Sequence, residues 1–269
     1  MVRNTVIRSI AIRTPSEGEI REIAEHIVKA YGFNKFMKLK IRVLANEVLK
    51  LLKPYLPYKI LSDLTNIPES VLCRYVRGNI IPSFEQAVNI LAKISLSIDI
   101  DYLLKELVEE EKSNIIDLSR VLKDPYIIRL LSIIICLKTI GKDVSKIIAT
   151  AEAVTPLATL LSIELNAPVV LIKKKAYPGI HYYTVIVPRS PKDTEILYID
   201  KDLISRKDSL LIISDVVYTG RTLKTILDIL EKTKARIVDI FVILGLGDEW
   251  RNRLKNYDIK VLTHLPPPF

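Results

Sequence analysis

The sequence has few of the residues that build disulfide frameworks and metal centres. Its 269 residues include two cysteines, Cys73 and Cys136, and three histidines, and the cysteines do not have CxxC spacing. We therefore expect neither a disulfide framework nor a zinc site. Long apolar runs are also missing, since the best of them, residues 130–137, is far shorter than the roughly 20 residues that a membrane helix needs. No export signal is recognisable at the N-terminus, so we expect a cytoplasmic protein that does not enter a membrane.

Basic residues are concentrated toward the N-terminus. The formal charge of the chain is +9, and residues 1–100 hold 15 Lys and Arg against 9 Asp and Glu, or +6. The other residues together contribute only +3. This distribution favours a polyanion as a partner of the N-terminal part, although an evenly solvated basic surface would give the same totals.

Two segments with different patterns divide the chain. Between residues 15 and 95, apolar residues follow three-and-four spacing that proline and glycine interrupt, which predicts short helices joined by tight turns. Residues 109–114 then form a charged stretch. We place a domain boundary there, with a helical domain at 1–112 and a second domain at 113–269.

The second segment alternates short aliphatic or β-branched runs with amphipathic segments of helical length. This alternation predicts βαβ units around a mainly parallel sheet, and therefore an α/β fold. Ligands of such sheets bind beyond the carboxyl ends of the strands. The predicted strands are 144–150, 169–173, 182–187, 195–198, 210–214, 237–244 and 259–262, and the clearest helices are 156–165 and 222–232.

Residues 58–78 predict two short helices that meet at a tight turn. Apolar residues at 61, 64, 67, 72 and 76 have the spacing of a shared seam. Asn66 stands where the turn needs a left-handed backbone, Pro68 suits the first turn of the second helix, and Gly78 suits its C-terminal cap. The segment resembles the helix-turn-helix of phage-repressor-like DNA-binding domains.

That resemblance implies double-stranded DNA as a partner. The helix from 69 to 77 would enter the major groove, and a homodimer is expected because two recognition helices bind far better than one. A helical domain that serves only docking or dimerisation is the alternative. The implied base contacts are Glu69, Ser70 and Arg74, and the implied phosphate contacts are Lys59, Arg77 and Asn79.

A second motif follows the predicted strand at 210–213. The strand ends at Ser214 and Asp215, and residues 216–222 lead into a helix. Hydroxyl and glycine residues at a helix start expose backbone N–H groups to which an anion binds well. The carboxylate of Asp215 can accept hydrogen bonds from sugar hydroxyls. The pattern therefore suits a ribose 5-phosphate.

These residues resemble the phosphoribosyl-diphosphate signature of type I phosphoribosyltransferases, in which two adjacent acidic residues and a Thr-rich loop follow a strand. Residues 147–158 look like the family's diphosphate loop, and residues 167–175 look like the next strand with its basic end. The resemblance implies the type I phosphoribosyltransferase fold and, as ligand, phosphoribosyl diphosphate or a nucleotide. The resemblance does not establish a cofactor, although it implies that Mg²⁺ would bind together with phosphoribosyl diphosphate. The implied ligand-binding residues are Asp215, Tyr218, Thr219, Gly220, Arg221, Thr222, Glu152, Ala153, Lys173 and Lys174.

The chain departs from this signature at three places. Ser214 occupies the first acidic position, and no glycine lies between Thr150 and Pro156. Arg221, where the family often has a small residue, either adds a phosphate partner or occupies the pocket. We therefore expect a loop that binds its ligand, and we assign no catalytic residue.

The two motifs together resemble the bacterial purine-operon repressor and related regulators. On this interpretation the chain is a DNA-binding transcription regulator that senses a phosphoribosyl ligand through a non-catalytic phosphoribosyltransferase domain. An active Mg²⁺-dependent purine or pyrimidine phosphoribosyltransferase with an accessory helical domain is the first alternative. An assembly protein that has lost its ligand is the second.

Overall fold

The computed structural model describes residues 13–98, 100–101, 104–105, 118, 122–190 and 193–267. The chain divides into two compact units, Met1–Glu106 with Cys136–Gly141 and Leu107–Ile135 with Lys142–Phe269. The expected boundary at 112/113 lies outside the described residues and stays a prediction. Within the described ranges, no helix combines the length and the apolar character that a bilayer crossing requires.

The first unit is helical. Serine side chains start two of its helices, because Ser16 and Ser83 each form a capping box with the residue three positions later. Its helices are α1 (Glu17–Tyr31), α2 (Lys35–Leu52), α3 (Tyr58–Thr65), α4 (Glu69–Val76) and α5 (Phe84–Ser97). Their apolar stripes meet in a core that includes Ile41, Leu49, Leu61, Leu72 and Leu91, all fully buried.

The turn between α3 and α4 has the chemistry that the sequence indicates. Asn66 ends α3 in the left-handed region with φ of 58°, and Pro68 immediately precedes α4. After α4 the chain leaves the helix through Gly78, which has φ of 74°. The seam between the two helices includes Leu61 and Leu72. Local turn chemistry therefore accounts for this pair of helices.

The second unit is an α/β domain. It includes α6 (Pro125–Lys138) up to Ile135, and from Lys142 onward the chain alternates strands with helices. Two short 3₁₀ helices, Glu152–Val154 and Lys201–Leu203, lie between these elements. The strands and remaining helices are β1 (Lys146–Ala149), α7 (Thr155–Leu165), β2 (Val169–Leu171), β3 (Tyr182–Ser190), β4 (Asp193–Asp200), β5 (Ser209–Val217), α8 (Arg221–Lys232), β6 (Arg236–Leu246), α9 (Glu249–Arg253) and β7 (Ile259–Leu265).

The main sheet is parallel throughout, in the order β2-β1-β5-β6-β7. Ile148, Ile212 and Ile240 lie side by side across its three central strands, and all three are buried. Strands that are buried on both faces consist of nearly continuous aliphatic residues, as β5 and β6 do. The expected mainly parallel α/β architecture is confirmed. Its carboxyl edge brings the ends of β1, β2 and β5 together.

β3 and β4 form a separate antiparallel pair. Alternation along the two strands gives the pair one buried face, with Val185, Val187, Leu197 and Ile199, and one outer face on which Ile186 and Ile196 are exposed. The helix α8 packs against β3. The buried face of this hairpin therefore continues the core of the domain.

Candidate functional site

The loop after β5 reaches the N-terminus of α8 through a left-handed glycine. Gly220 has φ of 73°, a conformation that residues with a side chain rarely adopt. A Cβ added here would lie 3.1 Å from Leu254 Cδ1 and 3.2 Å from Trp250 Cβ. Backbone conformation and close packing therefore both require glycine at this position.

The start of α8 offers backbone donors to an anion. The first N–H groups of any helix lack a carbonyl partner inside it, and the helix dipole is positive there. Gly220 occupies the N-cap position, so no side chain caps this end of the helix. Thr219 and Thr222 add hydroxyl groups close to it. Such a helix start is a general phosphate-binding device.

A cavity of about 510 Å³ opens beside this loop. Its size lies within the range of small-molecule sites, roughly 300 to 1,000 Å³. The predicted ligand residues that line it are Lys174, Asp215, Tyr218, Thr219, Gly220, Arg221 and Thr222. The remaining lining residues are Thr150, Ala151, Pro188, Glu195, Leu197, Ser214, Val216, Val217, Leu223 and Ile226.

Ser214 is tied to the neighbouring strand rather than left as a second polar group for a ligand. Thr150 Oγ1 donates a hydrogen bond to Ser214 Oγ over 2.9 Å, and both residues are buried. This neutral bond joins the ends of β1 and β5 at the bottom of the cavity. From β5 itself, Asp215 therefore contributes the carboxylate.

Asp215 is a half-buried carboxyl group whose ionised form is disfavoured. Burial raises the pKa of Asp215 above its usual range, and the nearby charge of Glu195 raises this pKa further. The backbone N–H groups of Val216 and Asp215 and the charge of Lys174 act in the opposite direction without cancelling the rise. Such a perturbed group in a cavity is a frequent property of functional sites.

A second, smaller cavity of about 220 Å³ lies at the ends of β1 and β2. Glu152 and Lys173 line it, Lys174 lines both cavities, and Lys175 adds a third ammonium group. Lys173 Nζ lies 5.4 Å from the ring centroid of Tyr177. Ala153 lines neither of these two cavities. The concentration of lysines favours a polyanionic group here.

The sequence did not single out the residues that β3 and β4 contribute to the larger cavity. Pro188, Glu195 and Leu197 belong to the hairpin. The prediction identified Glu195 and Leu197 only as parts of a strand and assigned Pro188 to none. The one local signal was a charge at position 195, two residues from Leu197 on the side of β4 that alternation assigns to the core.

A residue of α9 also holds the loop 218–222. The guanidinium of Arg253 donates a hydrogen bond to the backbone carbonyl of Thr219. Nothing near position 253 in the sequence indicates this contact, because it depends on how α9 packs against α8. The contact holds the loop from outside the cavity.

The carboxylates of the cavity fit a metal that arrives with its ligand. Among the described residues, no three His, Cys, Asp or Glu side chains gather as a metal cage. Asp215 and Glu195 do bring two carboxylates to one cavity. Mg²⁺ is commonly held by one or two carboxylates together with the phosphates of a substrate, so this donor set is compatible with it.

Comparison with known families decides the membership of the chain. A family model described as the phosphoribosyl transferase domain matches residues 127–264, just over half of the chain. The chain belongs to this family. Its α/β unit is therefore a phosphoribosyltransferase domain, and the predicted type I fold is confirmed.

Curated relatives agree with this membership. A hypoxanthine/guanine phosphoribosyltransferase of Methanothermococcus okinawensis is 32% identical over 136 residues, which cover 48% of this chain and 70% of the relative. A protein of the same name from Ferroglobus placidus is 32% identical over 124 residues, which cover 46% of this chain and 65% of the relative. The matched part thus spans about two thirds of each relative and less than half of this chain.

Solved structures show the same fold. The adenine phosphoribosyltransferase of Thermoanaerobacter pseudethanolicus aligns with a TM-score of 0.51 and 20% identity, over 56% of this chain and 88% of that chain. The adenine phosphoribosyltransferase of Rhodothermus marinus also aligns with a TM-score of 0.51 and 20% identity, over 60% of this chain and 97% of that one. At this identity the likeness concerns the fold alone.

These comparisons correct the functional interpretation of the sequence. The curated relatives are named as phosphoribosyltransferases, which contradicts the expectation of a DNA-binding transcription regulator with a non-catalytic ligand domain. The helix pair α3–α4 has the expected turn, but this geometry alone does not indicate DNA. A DNA partner is therefore not supported, and the contacts that depended on it lose their basis, namely Lys59, Glu69, Ser70, Arg74, Arg77 and Asn79.

Proposed function

We propose that the chain is an active phosphoribosyltransferase that transfers a 5-phosphoribosyl group from phosphoribosyl diphosphate to a purine base. The observation that carries this proposal is the cavity of about 510 Å³ in which Asp215, Lys174 and the loop 218–222 converge at the carboxyl edge of the parallel sheet. Family membership supports the reaction class. The names of the relatives favour hypoxanthine and guanine over adenine.

Each part of the ligand has a matching group in this proposal. The 5-phosphate binds at the N-terminus of α8, where Thr219, Gly220 and Thr222 supply backbone and hydroxyl donors. Arg221, which lines the same cavity, adds a positive charge. Asp215 accepts hydrogen bonds from the sugar hydroxyls. Tyr218 forms part of the wall beside them.

The diphosphate binds toward the second cavity. Lys173 and Lys174 at the end of β2 place ammonium groups there, and the turn at Glu152 and Ala153 offers backbone next to them. In the reaction, the bond from the sugar's anomeric carbon to the diphosphate oxygen breaks and a bond from the same carbon to a ring nitrogen of the base forms. The diphosphate leaves with the electron pair, and the base loses a proton to solvent.

The residues that line the two cavities assist this reaction by position and charge. Catalysis of this kind depends on orientation and on stabilising developing charge more than on a side-chain nucleophile. Mg²⁺, when bound with the diphosphate, would neutralise part of the charge of the leaving group, and Asp215 and Glu195 are the carboxylates placed to hold it. Lysine ammonium groups serve the same purpose from the protein side.

The other parts of the proposal concern the whole chain. Residues 1–112 form an accessory helical domain, and residues 113–269 form the transferase domain. We further propose a homodimer and a cytoplasmic location, in keeping with a small-molecule substrate. The oligomeric state is measurable by analytical ultracentrifugation.

The direct experiment is a transfer assay with the purified chain. Phosphoribosyl diphosphate and Mg²⁺ are mixed with hypoxanthine, guanine, adenine, uracil or orotate, and the nucleoside monophosphate and the diphosphate are quantified. We expect equal amounts of both products with hypoxanthine or guanine. Products with a pyrimidine alone would overturn the choice of base, and the absence of product with every base would overturn the activity.

A matched pair of variants ties the activity to the loop. Thr222→Val removes a hydroxyl that lines the cavity, whereas Thr225→Val removes one from the next turn of α8, where the hydroxyl donates to the carbonyl of Arg221. We expect Thr222→Val to raise the KM for phosphoribosyl diphosphate about tenfold and Thr225→Val to leave it within about twofold. Equal effects of the two substitutions on this KM would show that the hydroxyl of Thr222 does not contribute to substrate binding.

A further inference from the structure

Glu195 places a charge on the face of β4 that packs into the core. Side chains at 195, 197 and 199 point to the same face of β4, because successive residues of a strand alternate. Leu197 and Ile199 are buried on that face, and Val187, the partner of position 195 in the register, is buried as well. A carboxylate at the end of such a row is costly unless it has polar partners.

One ion-pair partner of this carboxylate lines the same cavity as Glu195 itself. Lys174 Nζ lies 3.3 Å from Glu195 Oε1. The glutamate side chain is 20% exposed and the lysine 70%. Asp215 lies near enough for the two carboxylates to influence each other's charge. All three residues line the cavity of about 510 Å³, so the cluster lies beside the loop 218–222.

Two carboxylates so close together are unfavourable for the protein alone. Like charges repel, and the pair of Glu195 with Lys174 is weakened by solvent, because the lysine side chain is 70% exposed. A ligand with several hydroxyl donors relieves this arrangement, since each hydroxyl donates one hydrogen bond and each ionised carboxylate accepts several. Ser214, next to Asp215, carries a hydroxyl and no carboxylate, and this hydroxyl is hydrogen-bonded to Thr150.

We propose that Glu195 is a sugar-binding residue of the transferase site, which accepts hydrogen bonds from ribose hydroxyls together with Asp215. The hairpin β3–β4 thereby supplies from the opposite wall the second carboxylate that β5 lacks. Lys174 orients the glutamate when the site is empty. This inference rests on the proposed function, because it assumes that a phosphoribosyl group occupies the cavity.

The test compares a ligand that has the sugar with one that lacks it. Ribose 5-phosphate and inorganic phosphate both bind through the phosphate loop, but only the former has hydroxyls for Glu195. The dissociation constants of both ligands are measured by calorimetry for wild type and Glu195→Gln. We expect the variant to raise the dissociation constant of ribose 5-phosphate about tenfold, as the loss of a hydrogen bond to a charged group does. The dissociation constant of inorganic phosphate should stay within about twofold of the wild-type value.

A matched control removes an ion pair elsewhere in the same domain. Glu164 pairs with Arg129 over 2.6 Å, its side chain is 17% exposed, and it does not line the cavity. Glu164→Gln therefore breaks a comparable ion pair without touching the proposed site, and both dissociation constants should stay within about twofold. Glu195→Asp keeps the charge and retracts it by one methylene, so ribose 5-phosphate should weaken by only about threefold. This variant also serves if Glu195→Gln does not fold.

The outcomes separate the two claims. If wild type binds ribose 5-phosphate and Glu195→Gln leaves the ratio of the two dissociation constants unchanged, the inference about Glu195 is overturned while the proposed function stands. A fall of the same size for inorganic phosphate would also overturn it, because the sugar would then not be the cause. If wild type binds neither ligand, both proposals are overturned together.

Discussion

At the carboxyl edge of the parallel sheet, Asp215 is half-buried beside a cavity, whereas at the amino edge Asp239 is enclosed by two lysines. Lys142 Nζ lies 2.6 Å and Lys260 Nζ 2.5 Å from the carboxylate of Asp239, whose side chain is 2% exposed. The same residue type on adjacent strands of one sheet therefore has two different environments. The amino-edge cluster satisfies its charges within the protein, and this is typical of a group that serves stability. At the carboxyl edge, the carboxylate of Asp215 can accept hydrogen bonds from a ligand.

The largest expected effect breaks the enclosed cluster. Asp239→Asn leaves two lysines, 39% and 29% exposed, without their shared carboxylate, and the loss of hydrogen bonds to a charged group costs about 2 to 3 kcal/mol. Urea unfolding should report this decrease in the free energy of unfolding, and the affinity for ribose 5-phosphate should stay within about twofold. A decrease below about 1 kcal/mol, or a loss of ligand affinity, would contradict the assignment of Asp239 to stability rather than to ligand binding.

The second prediction applies the same substitution at the other edge. Asp215→Asn removes hydrogen bonds from sugar hydroxyls to a charged group, so the binding free energy of ribose 5-phosphate should weaken by about 2 kcal/mol. Because the pKa of Asp215 is raised, burying its ionised form costs free energy relative to the unfolded chain, and an asparagine avoids this cost. The free energy of unfolding should therefore remain unchanged or increase slightly. Destabilisation as large as that of Asp239→Asn would assign Asp215 a structural role instead.

A third variant tests the backbone of the loop. Gly220→Ala places a Cβ in a left-handed conformation and against Leu254 and Trp250, which costs about 1 to 2 kcal/mol. We expect a lower free energy of unfolding together with weaker binding of inorganic phosphate, since the donors at the start of α8 shift. Gly141→Ala is the control, because Gly141 also has a positive φ but an added Cβ there would meet nothing within 4 Å. Unchanged phosphate binding in Gly220→Ala would place the anion elsewhere.

The smallest effect is a dependence on pH. A raised pKa means that Asp215 protonates at a higher pH than an ordinary aspartate, whose value is about 3.9. As the pH falls, protonation of this carboxylate should weaken the binding of ribose 5-phosphate by a few-fold, and the weakening should begin above about pH 3.9. Asp215→Asn should lack this component and retain the titration of the phosphate, near pH 6. Identical profiles for wild type and variant would show that the carboxylate does not contact the ligand.

Local patterns in the sequence were sufficient for most of the architecture. The aliphatic run at 210–213 predicted β5 and the Thr-Gly turn predicted the start of α8, because strand burial and helix initiation depend on neighbouring residues. Asn66 likewise predicted a left-handed turn. The cavity residues Asp215 and Thr219 followed from the same local motif. These features were predictable because each is determined within about ten residues of chain, the range of turn and capping signals.

The parts that the sequence did not reveal depend on distant pairing or on context. Glu195 reaches the cavity only because the register of β3 and β4 puts position 195 on the inner face beside Lys174, and Arg253 reaches Thr219 through the packing of α9. The functional error has another cause. The α3–α4 turn was correctly predicted, but one local geometry serves many functions, so the inferred DNA partner did not follow from it.

The most direct measurement is a calorimetric titration of phosphoribosyl diphosphate with Mg²⁺ into wild type, Asp215→Asn and Asp239→Asn, followed by addition of hypoxanthine or guanine. The account predicts saturable binding to wild type and Asp239→Asn, at least tenfold weaker binding to Asp215→Asn, and nucleoside monophosphate once the base is present. Equal affinity in all three proteins, or no binding to wild type, would contradict the claim that the carboxyl edge of β5 holds the phosphoribosyl substrate.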